Sequence, residues 1–202
     1  MANPDLRSYI SEQCIVFWKT KEQYGGLSNM AGGFPVVVNG LRISTVEALY
    51  QACKFSDYPR IQQAIFDQSS PIFAKKVTKP HQDKIRANWE NEKIQIMRWC
   101  LRVKLYQNWD KFSELLKSTG NKSIVEYSDK DNFWGAMPVG DGVLEGTNAL
   151  GRLLMQLRED MKRPNGFSES SVVPPFRNLK ILGRGIQPIE KISGEPQGSF
   201  EF

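Results

Sequence analysis

Cysteine, histidine and long apolar runs are scarce in this chain, and each scarcity closes a class of function. The three cysteines, Cys14, Cys53 and Cys100, are far apart and in no ligand spacing. That argues against a disulfide framework and a zinc site, and for reduced, mostly buried thiols. With one histidine, His81, multi-histidine metal centres are excluded, and a nucleophile-histidine-acid triad would have to use that residue. Its position after Pro80, at a helix start, reads as surface or capping. The expectation is therefore no metal and no cofactor. No stretch approaches the roughly 18 apolar residues of a membrane span, and Met1-Ala-Asn-Pro-Asp-Leu-Arg7 lacks the apolar core of a secretory signal. A cytoplasmic protein with no membrane partner is expected.

What is present is enough for a full core. A length of 202 residues with 40% hydrophobic content suits one domain plus an extension. The net charge of +5 favours phosphate-bearing partners without demonstrating nucleic-acid binding.

Cys14-Ile-Val-Phe-Trp18 reads as a strand, and Gly25-Gly-Leu-Ser-Asn-Met30 as a loop. Asn39-Gly40 between Phe34–Val38 and Leu41–Ile43 is a hairpin signal, because both residues accept positive φ. A helix from about Thr45 to Ser56 follows, then short helices at Pro59–Phe66 and Ser70–Val77. A long helix is predicted from Gln82 to Gln107, with Ile85, Trp89, Ile96, Trp99 and Val103 on its apolar stripe. Phe112–Lys117 gives another helix, Ser123–Tyr127 an extended segment, Gly140–Gly146 a loop and Ala149–Met161 an amphipathic helix. Beyond Arg163, proline, glycine and serine dominate. These readings give a helix-rich α+β domain with a small β-hairpin or sheet over residues 1–162, and a C-terminal arm over 163–202 whose short apolar runs suit docking on the body.

Chemistry is suggested by Glu47, Gln51 and Lys54. At about 100° per residue their i, i+4, i+7 spacing places three polar groups on one helical face. The competing reading is a capping box, Ser44-x-x-Glu47, with Lys54 a solvated lysine; a cap does not call for a lysine two turns on. Trp89, Trp99 and Trp109 read as core. Trp134, after a polar run and beside Gly135, suits a pocket edge. Asp131 reads equally as a loop carboxylate in water. The Gly25-Gly26 loop and the Gly146-Thr-Asn148 helix start either cradle a phosphate or serve as a turn and a cap.

Taken in order, Gly26-Leu-Ser-Asn29, Glu47 to Lys54, Arg86 with Trp89, Glu126 with Asp131-Asn-Phe-Trp-Gly135, and Gly146-Thr-Asn148-Ala-Leu-Gly151-Arg resemble the NADAR (YbiA-like) domain family from about Phe17 to Arg158. Where the family often has an aromatic after Ser-Asn, this chain has Met30.

The resemblance implies an N-glycosidase that breaks a ribose C1-nitrogen bond. Two substrate classes are implied: ADP-ribose on guanine in nucleic acid, removed as an antitoxin activity against a cognate ADP-ribosyltransferase toxin, and phosphorylated N-ribosides early in riboflavin synthesis. The first is preferred here because a basic chain suits a polyanion. A non-catalytic ADP-ribose-binding module is the third reading. The expected catalytic set is Glu47, Lys54 and Asp131, with Lys54 as nucleophile and the acids moving protons. Ser28, Asn29, Gln51, Arg86, Trp89, Trp134, Gly135 and Asn148 form the expected substrate-binding set, with Arg86 meeting a phosphate and the tryptophans stacking on a ring.

Overall fold

A computed structural model describes residues 5–163 and 171–190. Its first strand, β1 (Arg7–Ile10), is one the sequence reading lacks, and β2 (Cys14–Phe17) follows a short 3-10 turn. Gly25–Leu27 forms another 3-10 turn within the expected loop. Asn39 and Gly40 take φ of +52° and +79° and join β3 (Val36–Val38) to β4 (Leu41–Ile43), as the Asn-Gly signal predicts. The Gln107 side chain pins this hairpin to the body, accepting from Val37 N at 2.7 Å and donating to Val37 O at 3.0 Å.

Helix α1 (Val46–Cys53) is capped by Thr45, whose hydroxyl accepts from Ala48 N. The capping-box alternative is not formed, because Ser44 is exposed and the Glu47 carboxylate is bonded to Gln51. Every residue of α1 is buried, so a helix with a polar face lies inside the protein. Helices α2 (Pro59–Phe66) and α3 (Pro71–Val77) each open on proline, whose missing N–H is no loss at a first helical position. The long helix α4 runs from Trp89 to Gln107. It begins later than expected because Lys79–Lys84 forms a 3-10 turn broken at His81, where φ is −116°. Helix α5 (Trp109–Ser118) opens on Trp109, 40% exposed and so not the core residue expected, whereas Trp99 is buried.

Strand β5 (Ser123–Glu126) pairs in parallel with β2, Phe17 opposite Glu126. The stretch expected as a loop is instead a hairpin, β6 (Met137–Gly140) and β7 (Val143–Gly146), turned by Asp141-Gly142 with positive φ at both residues. It joins β1 in a three-stranded antiparallel sheet of order β1-β7-β6. Helix α6 (Ala149–Lys162) then packs against β5, α4 and α5.

The main core gathers Phe17, Leu49, Phe55, Ile96, Leu101 and Leu154, all at most 1% exposed. Each such side chain is worth about 1.5–3 kcal/mol of burial, and truncating one, as in Leu101→Ala, costs about 2–5 kcal/mol. The described part of the arm joins this core through Val172, Leu179, Ile181, Ile186 and Ile189. It does so as paired two-residue strands, β8 (Ser171–Val172) with β11 (Ile189–Glu190) and β9 (Lys180–Ile181) with β10 (Arg184–Gly185). Gln62 ties it down, donating to Ala52 O and Lys180 O while accepting from Leu182 N. The rest of the expected arm lies outside the described residues. No helix among the described residues is long and apolar enough to cross a membrane. Helices and small sheets thus form the α+β architecture that the sequence pattern predicts.

Candidate active site

A cavity of about 530 Å³ opens between the polar face of α1, the 25–30 loop and the segment after β5. Ser28, Asn29, Glu47, Gln51, Lys54, Asp131 and Trp134, all expected site residues, line it together. Its volume falls within the roughly 300–1,000 Å³ of small-molecule sites.

Backbone bonds fix the near wall. Glu47 N donates to Asn29 O at 3.0 Å, tying the loop to the first turn of α1. Beneath the loop, the buried Lys104 ammonium donates to Gly26 O at 2.7 Å and Ser28 O at 3.0 Å. It also lies 4.6 Å from the Phe34 ring centroid and 4.3 Å from that of Phe112. Its burial lowers the amine to a pKa of about 7.

On α1, Gln51 Nε2 donates to Glu47 Oε1 at 2.7 Å, aligning the carboxylate. Gln51 Oε1 and Asn29 Oδ1 are buried without partners. A buried acceptor left unmet costs about 1–3 kcal/mol, and both residues line the cavity. Lys54 follows the last residue of α1, and its carbonyl accepts from Arg86 N at 3.0 Å. Its ammonium forms no ion pair among the described residues; it lies 5.6 Å from the Tyr50 ring centroid and 5.3 Å from that of Trp89. Burial lowers the Lys54 pKa, against an opposing pull from Glu47, and Lys75 lowers it further. A lysine so placed is more readily neutral, and therefore nucleophilic, than one in water.

The far wall begins where β5 ends. Glu126 lines the cavity, and its carboxyl is raised to a pKa of about 8 by burial first, then by the charges of Glu47 and Asp131. It is held in place through its backbone: Asn148 Oδ1 accepts from Glu126 N, Asn148 Nδ2 donates to Ile124 O, and Ala136 N donates to Glu126 O. These approaches need glycine. A Cβ on Gly135 would sit 2.6 Å from Glu126 O, and one on Gly151 only 2.1 Å from Ile124 O. Asp131 Oδ1 accepts from Phe133 N and Trp134 N at 3.0 and 2.9 Å, so one of its oxygens shapes the turn that carries Trp134. Trp134 packs edge-on against Tyr50, which in turn packs against Trp89.

Four expected site residues lie outside this lining. Arg86, expected at a phosphate, is engaged elsewhere: its guanidinium pairs with Glu92 at 2.7 Å and bonds Ser56 and Asn178. Lys75 and Lys130 carry positive charge at the cavity instead. Trp89 stands behind Tyr50 and Lys54, a second layer of the wall. Gly135 and Asn148 act on the backbone around Glu126, and Asn148, although it precedes α6 with φ +49°, makes no side-chain cap. Sequence reasoning passed over Glu126 and Tyr50 as chemical groups. The available signal for Glu126 was a carboxylate closing the short apolar strand Ser123-Ile-Val-Glu126, whose two middle residues are buried.

A model of the NADAR domain matches residues 16–162. The chain belongs to the NADAR domain family. The N-glycosidase YbiA of Escherichia coli is 35% identical over 156 residues, covering 77% of this chain and 93% of YbiA. The N-glycosidase Npun_R5314 of Nostoc punctiforme is 32% identical over 150 residues, 73% of this chain and 92% of that protein. The riboflavin biosynthesis protein VVA0006 of Vibrio vulnificus is 36% identical over 160 residues, 78% of this chain, but only 41% of its own length is spanned. The NMR structure of E. coli YbiA superimposes with a TM-score of 0.63 at 34% identity, over 76% of this chain and 88% of that one. All the cavity-lining residues fall within the matched NADAR segment.

Proposed function

We propose that this NADAR protein is an N-glycosidase that hydrolyses a ribose C1-nitrogen bond, with ADP-ribose on guanine in nucleic acid as the substrate. The observation that carries this reading is the meeting of an amine and three acids, Lys54 with Glu47, Glu126 and Asp131, in one cavity. Its relatives YbiA and Npun_R5314 bear the name N-glycosidase.

Breaking the bond leaves electron density on the departing base and deficiency at C1, so the reaction asks for a proton donor and a nucleophile. Glu126, protonated below a pH of about 8, suits the donor. Burial and Lys75 favour a neutral Lys54, and Glu47, held by Gln51, suits a base for the attacking water. An acid protonates the ring oxygen as the C1–O4′ bond breaks, leaving C1 doubly bonded to the base nitrogen. The neutral Lys54 nitrogen adds to C1, its proton passes through a carboxylate to the base nitrogen, and the C1–N bond to the base breaks. C1 is then an imine of Lys54. Water adds to C1, the C1–Nζ bond breaks, and the ribose aldehyde and the free amine are regenerated. Trp134 offers a ring face to the heterocycle, and Lys75 and Lys130 meet phosphates.

The basic net charge favours a polyanionic substrate over a small one. Riboflavin-pathway N-ribosides are the second reading, favoured by the name of the Vibrio relative. The two part in a side-by-side assay with product mass spectrometry. The proposal expects unmodified guanine and free ADP-ribose from an ADP-ribosylated guanine oligonucleotide at a kcat/KM well above that for a phosphorylated aminopyrimidine riboside. The reverse ranking overturns the substrate assignment, and binding of ADP-ribose with no turnover of either overturns the enzyme.

A further inference from the structure

The hydrolytic groups make no use of two aromatic side chains that also line the cavity, Trp18 and Tyr127. Each is the residue just past the end of a strand, Trp18 after β2 and Tyr127 after β5. Because those strands are parallel with Phe17 opposite Glu126, the two following residues emerge side by side. Tyr127 N donates to Phe17 O at 2.9 Å and holds them there. Their ring centroids are 5.0 Å apart at 50°. Asp129 neighbours the Tyr127 hydroxyl, and Lys19 Nζ lies over the Trp18 ring, 4.8 Å from its centroid.

Trp18 is 49% exposed. A single apolar residue on a surface is ordinary. A paired indole and phenol at a polar cavity, with an ammonium over the indole, is a different arrangement. It offers two tilted aromatic faces for a base and a cation for an adjoining phosphate, the combination by which proteins hold unstacked nucleotides.

We propose that Trp18 and Tyr127 form a stacking subsite for a second aromatic base of the substrate, beyond the one whose ribosyl bond is cut. The proposal rests on the N-ribosidase reading and narrows its substrate. A small N-riboside has one heterocycle, which the hydrolytic pocket itself must hold, so this pair would stand idle. ADP-ribosylated guanine in a strand carries further bases of two origins: the adenine reached through the pyrophosphate, and the nucleobases flanking the guanine.

The test compares wild type, Trp18→Ala and Trp18→Phe by calorimetric titration with ADP-ribose and with ribose 5-phosphate. In parallel, KM is measured for ADP-ribosylated guanine as a free nucleoside and within an oligonucleotide. If the pair holds adenine, Trp18→Ala weakens ADP-ribose about tenfold, Trp18→Phe restores most of the loss, and ribose 5-phosphate binds all three proteins alike. If it holds a flanking base, ADP-ribose is unaffected, and KM rises about tenfold for the oligonucleotide but not for the nucleoside. Either result supports the subsite and names its occupant. No change in any of these quantities overturns it, as does an equal loss for ribose 5-phosphate. Wild-type inactivity on both guanine substrates would count against the N-glycosidase reading, while the ADP-ribose titration would still decide whether the rings stack on a base.

Discussion

Lys54 and Lys104 are two lysines whose amines are both lowered by burial, yet their surroundings differ. Lys104 has no exposed surface, and its ammonium is enclosed by two carbonyls and two aromatic rings. It is a strut under the loop that presents Ser28 and Asn29. Lys54 stands at the cavity, over two rings, with no ion pair among the described residues. A shifted amine is therefore accessible for chemistry only where open space adjoins it. The same contrast separates Arg86, engaged by Glu92, Ser56 and Asn178, from Lys75 and Lys130 at the cavity.

The largest expected effect breaks the pair of lysines apart by function. Lys54→Ala should lower kcat on ADP-ribosylated guanine by about a thousandfold or more while its urea unfolding midpoint changes little; Lys104→Ala should do the opposite, losing stability first. Equal losses of kcat in both variants would erase the distinction.

Next in size is Glu126→Gln, which removes the raised acid without changing the side chain's shape. A fall in kcat of about 10²–10⁴ is expected. The pH profile sharpens it: wild-type turnover should decline as pH rises through about 8, when Glu126 loses its proton, and the variant should lack that limb.

Gln51→Leu tests the alignment of Glu47. Losing the 2.7 Å bond should lower kcat/KM about tenfold to a hundredfold, with the fold intact by circular dichroism. A variant with wild-type kcat/KM would show that Glu47 needs no such support.

The smallest effect is a slope. The folded Lys104 amine releases its proton near pH 7, whereas the unfolded one keeps it to about 10.4. Between those values the unfolded state binds more protons, so this group makes stability rise with pH. From pH 8 to 10 the wild type should gain stability relative to Lys104→Met, by at most about 1.4 kcal/mol per pH unit. Parallel curves for the two proteins would mean that the amine stays charged inside its cage.

How much of this was legible in the sequence follows from range. Local signals held: Asn39-Gly40 fixed one hairpin, and the spacing of Glu47, Gln51 and Lys54 did place all three on the cavity. The second hairpin was missed although Asp141-Gly142 is a turn signal, because Pro138 and Gly140 blunt the strand pattern before it. β1 was missed because its partner, β7, lies more than 130 residues away. The site followed the same rule. Glu126 acquires its raised pKa from burial first and then from the charge of Glu47, distant in sequence, on a backbone seat built by Asn148, Gly135 and Gly151. Arg86 was expected at a phosphate because the family resemblance implied it; Glu92, its ion-pair partner, is near in sequence, but Ser56 and Asn178 are distant.

The account turns on Lys54 as the nucleophile within the cavity. Borohydride added during turnover of an ADP-ribosylated guanine oligonucleotide, followed by peptide mass spectrometry, tests that directly. The expected result is a stable reduced ADP-ribosyl adduct on Lys54; complete release of unmodified guanine with no adduct on that residue would contradict it.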